Sequence, residues 1–410
     1  MNDTSVTATP IDALFGVAAL SRALLDRDPL LHIHDALQAR LRRDPNDACA
    51  LQDLSIIQQL LGNGEGRRRL QQEALRRRRL YSVAAPLRVD APRLLAIVTP
   101  GDFMSNTPLE FLVEDGAVAL DLMFLSAGDD FPAELPEHDV TFVAIAEGDH
   151  TRPVLARIEM MAAHWPQPLL NAPAAIARLT RDGAWRLLAD APGLVYPFNA
   201  AAQRGELEAV ARGETSITTL MGGAIWPIIA RPRGAHAGDG LEKLDSIEAL
   251  ADFLARNDEA QFYLARFVDY RSADGLYRKY RIVFIDGIPY AAHLAISRNW
   301  MIHYLNADMH EDRHRAEEAR FFAEFENGFA HRHTMPLAEL SRRVGLDYFV
   351  VDCGETSDGR LLMFEIGAAM IVHALDSDEA FPYKKPQMRK VCAAFAAMVR
   401  RRAQTATRAA

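Results

Sequence analysis

From residue 11 to about residue 80, apolar residues recur at spacings of three and four. They run through Leu14, Val17 and Ala18, and again through Leu51, Leu54, Ile57 and Leu61. That spacing predicts helices with one buried stripe. Asp44-Pro45-Asn46-Asp47 reads as the end of one helix and the cap of the next. From Leu94 the pattern changes. Short apolar runs at 94–99, 117–125 and 140–146 alternate with helical stretches at 107–113 and 153–164. This predicts a small parallel α/β sheet. Leu169-Leu170-Asn171-Ala172-Pro173 then runs into a helix.

From about Ala191 the pattern changes again. Strands are predicted at 226–231, 261–268, 280–285 and 290–297, with a helix at 246–256. Asp286-Gly287 is a hairpin turn signal. A helix at 312–325 is charged on one side. A last hairpin pairs 348–353 with 361–366 across Ser357-Asp358-Gly359, and a helix at 384–401 closes the chain. Antiparallel strands with helices to one side predict an α+β class for this half.

Composition narrows the function classes. The 410 residues suffice for two or three domains, and 49% are hydrophobic, so a sizeable core is available. A net charge of −9 argues against a general nucleic-acid binder. Cys49, Cys353 and Cys392 are far apart and odd in number, which excludes a disulfide framework. The start MNDTSVTATPID lacks a signal-peptide pattern, and no apolar run approaches the ~20 residues a membrane span needs. A soluble, reduced, cytoplasmic protein is expected, with neither nucleic acid nor membrane as partner.

Four stretches of the second half carry chemistry. Trp226-Pro-Ile-Ile-Ala-Arg-Pro-Arg-Gly-Ala-His-Ala-Gly-Asp-Gly240 is a strand followed by a loop with three glycines. Such a loop brings backbone N–H groups against phosphate oxygens. Tyr263-Leu-Ala-Arg-Phe-Val-Asp269 could be an edge strand whose backbone pairs with an adenine ring, with an acid placed for the ribose. In Tyr277-Arg-Lys-Tyr-Arg281, alternate residues share a face, so Tyr277, Lys279 and Arg281 point the same way and suit a polyphosphate or an acyl phosphate. In Asp352-Cys-Gly-Glu-Thr-Ser-Asp-Gly-Arg-Leu-Leu-Met-Phe-Glu-Ile-Gly367, Asp352 and Glu365 lie near the same end of two hairpin arms. Two such carboxylates repel unless they share a cation, and Mg²⁺ on nucleotide phosphates is the usual one.

In that order, these stretches resemble the ATP-grasp superfamily, closest to its glutathione synthetase and D-alanine–D-alanine ligase group. The likeness covers roughly residues 92–400. It implies an α+β ATP-grasp fold: a pre-grasp α/β domain at 91–190, a small subdomain at 191–260 and a large one at 261–410. The helical module before it, at 1–90, resembles a tetratricopeptide hairpin with at most two repeats, fewer than the roughly three an array needs. The resemblance implies ATP and Mg²⁺ as cofactors, and ligation of a small-molecule or peptide carboxylate to an amine through an acyl phosphate. Members of the group often form homodimers, and the helical module offers a surface for a protein partner.

Carried over residue by residue, Arg231 stands where the family has a phosphate-binding lysine. Gly234, His236, Gly238 and Gly240 form the phosphate lid. Ala265, Arg266, Phe267 and Val268 form the adenine hinge, and Asp269 touches ribose. Arg281, with Lys279 beside it, meets the γ-phosphate or acyl phosphate, and Asp352 and Glu365 hold Mg²⁺. His293, Ser297, Arg298, Trp300, His303 and Asn306 fall in the stretch that faces the acceptor. Two departures stand out. Gly367 replaces the asparagine of the family's Glu-x-Asn pattern, which leaves open another ligand such as Asp376 or a water. Arg231 replaces a lysine, keeping charge but changing geometry. Both keep a second reading open, a nucleotide-binding adaptor without turnover. Phosphorylation of a hydroxyl instead of a carboxylate also fits the resemblance.

His310-Glu311-Asp312-Arg313-His314 matches the zinc-protease HExxH pattern, but its charged neighbours read as a solvated helix. The pairs His32/His34 and His331/His333 sit in ordinary contexts. The arginines at 67–69 and 76–79 read as a solvated helical face, with docking to an acidic surface as the other option.

Overall fold

The computed structural model describes residues 12–25, 27–132, 134–223, 225–234, 240–303 and 306–409. The chain forms two compact units. Unit 1 is Met1–Ala177 with Leu346–Phe349 and Gly367–Ala410; unit 2 is Arg178–Gly345 with Val350–Ile366.

Unit 1 is built on a six-stranded sheet of β1 (Ala13–Leu14), β2 (Leu80–Val83), β3 (Arg93–Val98), β4 (Ala119–Phe124), β5 (Val140–Val143) and β6 (Leu169–Leu170), in the order β1-β2-β4-β3-β5-β6. β3 to β6 pair in parallel, as the strand–helix alternation predicts. Leu94, Leu95, Ala96 and Ile97 of β3 are all fully buried, the mark of a strand covered on both faces. β2 joins antiparallel to β4, and β1 parallel to β2. The N-terminal region is therefore not purely helical; its two strands belong to this sheet. Its helices Ala48–Leu60 and Gly64–Arg77 start at side-chain caps. Asp47 accepts the Ala50 N–H at 2.9 Å and Asn63 accepts the Gly66 N–H at 2.9 Å. Arg77 of the arginine clusters pairs with Glu73, but Arg67 turns inward onto the Gly101 carbonyl and Arg78 lies over the Tyr81 ring. The helix Lys384–Ala409 belongs to unit 1, where Phe395 packs on Phe142 and Tyr348.

Unit 2 holds two sheets. In the first, β8 (Asn199–Gln203), β9 (Ile228–Pro232), β10 (Glu242–Leu244) and β11 (Gln261–Arg266) pair antiparallel in the order β10-β9-β11-β8. Ile228, Ala230, Phe262 and Leu264 share a core with Leu207, Val210, Leu250 and Phe253 of the helices Arg204–Ala211 and Ile247–Arg256. The second sheet runs β13 (Ile288–Ser297), β12 (Tyr277–Ile285), β14 (Tyr348–Glu355), β15 (Leu361–Gly367) and β7 (Leu194–Val195), the last parallel to β15. The architecture is α+β.

The β12–β13 turn has Asp286 at φ 50° and Gly287 at φ 82°, a two-residue turn with both positions left-handed. A Cβ at Gly287 would also sit 3.1 Å from Ser341 Oγ. Gly287→Ala is expected to lower stability by about 1–2 kcal/mol, read as a lower urea midpoint at unchanged slope. An unchanged midpoint would show that the turn relaxes without strain.

Candidate functional site

Lys279 and Arg281, two apart on β12, reach one carboxylate. Arg281 Nε and Nη2 donate to Asp352 Oδ1 and Oδ2 at 2.8 and 3.0 Å, and Lys279 Nζ lies 3.2 Å from Oδ2. The Asp352 side chain is 4% exposed, while the two cations are 20–27% exposed. Burial alone would raise the Asp352 pKa. The Arg281 and Lys279 charges overcome it and hold the carboxyl well below the usual range. Asp352 is thus an ionised acid between two cations that keep one side toward solvent. Tyr277, of the same strand, instead packs on Tyr270 at 4.8 Å, and its hydroxyl accepts from Arg271 Nε at 3.0 Å.

Two imidazoles border this cluster. His293 lies opposite Arg281 on β13, at an irregularity that leaves Ala292 without a register partner. Its Nδ1 is 2.6 Å from Glu318 Oε1, and the fully buried Glu318 also accepts the Leu294 N–H at 3.1 Å. The pKa of His303 is lowered, first by burial and then by the Lys279 and Arg281 charges. The other acceptor-side candidates divide. Ser297 and Asn306 are tied into their own loop: Ser297 Oγ donates to Asn306 O at 3.2 Å, and Asn306 Oδ1 accepts the His303 N–H at 2.7 Å. Arg298 is exposed, with Glu311 4.0 Å away. Trp300 stands edge-on to Phe267, 5.5 Å between ring centres.

Glu365 is half exposed and accepts from Arg181 Nη2 at 3.1 Å. Arg181 opens a helix that Thr180 caps through the Gly183 N–H at 3.0 Å. Beside this pair, burial pushes the Tyr196 hydroxyl up to about 12. Among the described residues no group of three or more His, Cys, Asp or Glu could hold a metal. Asp352 and Glu365 each already face cations, Arg281 with Lys279 and Arg181 respectively. Gly367 adds no side chain, and Asp376 is paired with Lys384 at 3.1 Å.

The face of the first sheet of unit 2 opposite its helices carries a second set of cations. Arg231 and Tyr263 are register partners, as are Lys243 and Ile229, so Arg231, Lys243, Tyr263 and Ala265 share the face opposite the helices. Arg231 is 9% exposed. Lys243 Nζ lies 4.9 Å from the centre of the Phe267 ring and 2.9 Å from Asp245. The loop between β9 and β10 begins at Gly234, φ 84°, and ends at Gly240, φ 60°. A Cβ on Gly240 would fall 2.7 Å from Pro232 Cδ. His236 and Gly238 lie outside the described residues.

The hinge expectation needs one correction. β11 is not an edge strand: β8 and β9 flank it, each paired with it through Ala265. Its backbone is consumed by sheet pairing, and only the residues beyond the strand leave the ladder. Arg266, the last residue of the strand and still opposite Ile228, donates its N–H to Phe198 O at 3.3 Å, and just beyond it Phe267 N donates to Pro227 O at 3.2 Å. Val268 packs against the Tyr270–Tyr277 cluster, and exposed Asp269 accepts the Arg271 N–H at 3.0 Å.

Sequence reasoning passed over Lys243, Arg181 and Glu318. Lys243 had a signal, a lysine three residues past the last glycine of the loop. The other two are helix residues whose roles appear only with the tertiary pairing. The HExxH residues do not share a helical face: His310 precedes the helix Asp312–Ala323, and buried His314 meets the Asp308 carbonyl at 2.8 Å.

No protein-family model matches the sequence, and no curated protein does. Among solved structures, the chain is similar to a RimK domain ATP-grasp protein from Sphaerobacter thermophilus, with 14% identity over 75% of this chain and 99% of that one, TM-score 0.44. It is also similar to the VanG D-Ala:D-Ser ligase of Enterococcus faecalis, with 11% identity over 75% of this chain and 100% of that one, TM-score 0.44. A third is D-alanyl-alanine synthetase A of Vibrio cholerae, with 11% identity over 78% of this chain and 100% of that one, TM-score 0.46. Likeness at this level assigns no residue of this chain a role.

Proposed function

We propose that this chain is an ATP-grasp ligase that binds Mg·ATP on unit 2 and joins a carboxylate to an amine through an acyl phosphate. One arrangement supports the reading. Two partly exposed cations, Lys279 and Arg281, are held on one ionised carboxylate, while Arg231 and Lys243 share the face, opposite the helices, of a sheet that ends in a glycine loop. In this reading Arg231, Lys243 and the loop from Gly234 to Gly240 hold the phosphates. Ala265, Arg266, Phe267 and Val268 take the adenine, and Asp269 the ribose. Lys279 and Arg281 turn part of their charge from Asp352 to the transferring phosphoryl group and to the acyl phosphate. Asp352 and Glu365 would hold magnesium, which would supply further neutralisation of the phosphate oxygens. His293, fixed through Nδ1 by Glu318, and His303 border the acceptor side.

The substrates are a small-molecule or peptide acid and an amine. Among the described residues no helix is long and apolar enough to cross a membrane. The free cysteines Cys49, Cys353 and Cys392 suit the reducing cytoplasm.

Gly367 favours a second reading, nucleotide binding without turnover, in which the N-terminal helices serve a protein partner. One experiment separates the outcomes. Saturating ATP, at ~100 times Kd, adds about 2.7 kcal/mol to the stability of the unit that binds it, and the melting temperature rises. The rise is expected to require Mg²⁺ in part, and Glu365→Gln is expected to remove that part. A Mg²⁺-dependent shift with no ADP release across acid and amine pairs would select the adaptor. The absence of any shift at millimolar ATP would sink both readings.

A further inference from the structure

Unit 1 contains a cavity of about 80 Å³ that plays no part in the nucleotide site. It lies at the carboxyl end of β3, under the helices Ala48–Leu60 and Gly64–Arg77. The strand order turns back here, with β4 on one side of β3 and β5 on the other. Crevices at such points are where open parallel sheets take ligands.

One polar atom of the lining is buried without a partner, and charged groups lie near it. Gln52 is 3% exposed, and its Oε1 is buried with no hydrogen-bond partner. A buried acceptor left unpaired is costly, and a donor is expected there. Arg67 donates only to neutral oxygens, Gly101 O at 2.8 Å and Gln71 Oε1 at 3.2 Å, and forms no ion pair among the described residues. Asp102 is close enough to stabilise the Arg67 charge, yet the two do not meet. Its Oδ1 accepts from Met104 N at 3.0 Å and Ser105 Oγ at 3.2 Å. Glu110 also lines the cavity and is buried, which raises its pKa. A half-buried cation and, at the solvent-facing mouth, the exposed carboxylate of Asp102 thus border one small pocket with an unanswered amide oxygen.

We infer that this cavity binds a short α-amino acid, its carboxylate on Arg67 and its ammonium between Gln52 Oε1 and Asp102. The charges match: a zwitterion carries one charge of each sign, as Arg67 and Asp102 do, while burial disfavours the charged form of Glu110. The size matches as well. At ~30 Å³ per water the space holds two or three waters, or a molecule on the scale of glycine or alanine. The Gln71 amide clamps the rim, accepting the Gly101 N–H at 3.0 Å and donating to the Gly101 carbonyl at 3.3 Å. This site is independent of ATP-grasp activity.

The test is calorimetric titration of the full chain with glycine and L-alanine, against acetate and methylamine, each of which lacks one of the two charges. Saturable binding is expected for the amino acids and much weaker binding for the single-charge probes. Gln52→Leu and Arg67→Met are each expected to weaken glycine binding about tenfold or more, the loss of one charge-assisted bond. Arg67 is only half-buried and outside the hydrophobic core, so Arg67→Met guards against a folding defect in Gln52→Leu, with the urea midpoint of each variant measured beside its binding. No saturable heat with either amino acid, or glycine binding by both variants as tight as by wild type, would overturn the inference. So would a crystal grown with glycine that shows only water at Gln52 Oε1.

Discussion

Asp352→Asn is expected to lower the stability of the chain by about 3 kcal/mol, the low end of the loss when one partner of a buried ion pair is removed. The low end applies because Lys279 and Arg281 are 20–27% exposed and water screens part of their charge. The amide oxygen can still accept one hydrogen bond. It cannot stop the two cations from repelling each other, with His303 beside them. The effect is read from urea unfolding at neutral pH. Adding Lys279→Met to Asp352→Asn should recover part of the loss, because one of the repelling charges is gone. A single variant as stable as wild type would show that the Asp352 pair contributes nothing to the fold. The pH dependence has a defined sign. The folded pKa of Asp352 is depressed, so its contribution is present above the ordinary carboxylate range and disappears as pH falls below it. The functional corollary separates charge from metal. Without Asp352 the cations can turn wholly to phosphate, so Mg²⁺-free ADP should bind the variant at least as well as wild type, while the magnesium-dependent increment for ATP disappears.

That site is only half legible in the sequence. Alternation along β12 puts Lys279 and Arg281 on one face, because a strand's period of two is a local property. Asp286-Gly287 marks its hairpin for the same reason, since both residues are needed at positive φ. What the pair of cations does with Asp352 is not legible, because β12 and β14 are neighbours only in the sheet. Tyr277 obeys the alternation and still goes to a different partner, Tyr270, which no spacing rule reports. The edge-strand reading of residues 263–269 fails on topology: whether a strand is flanked once or twice depends on where β8 returns, and Asn199–Gln203 carries almost no pattern of its own. β1 and β7, two residues each, are held by tertiary pairing and lie below the length at which periodicity exists. The helix Lys384–Ala409 is visible as a helix, but its membership of unit 1 follows from Phe395 meeting Phe142 and Tyr348, and the Phe142 contact spans hundreds of residues.

Asp53 is expected to make unit 1 less stable as pH rises from about 5 to 8. The residue is fully buried at the start of the helix Gly16–Leu25, where it accepts the Phe15 N–H at 2.9 Å and the Gly16 N–H at 3.1 Å. Burial dominates and pushes its carboxyl up to about 7, against the pull of those two N–H groups and of the Arg40 charge. The sign follows from proton counting. Between the unfolded value near 4 and the folded value near 7, the folded chain holds a proton that the unfolded chain has lost, so each unit of rising pH favours unfolding. From pH 5 to 8 this amounts to roughly 2.5 kcal/mol, and above about pH 8 the group is ionised in both states and the slope vanishes. Glu110, buried beside Gly16 and raised in the same direction, adds to the slope. Asp352 and Glu355 act with the opposite sign but below pH 5, where their depressed values lie, and His303, whose lowered pKa also opposes the trend, is common to wild type and variant and cancels in their comparison. Asp53→Asn keeps an oxygen for the N–H groups and removes the charge. Wild type and variant should therefore be similarly stable at pH 5, with the variant ahead by a few kcal/mol at pH 8, in urea titrations at each pH. If the two curves stay parallel from pH 5 to 8, Asp53 is ionised throughout, and its two N–H donors with Arg40 outweigh the cost of burying it.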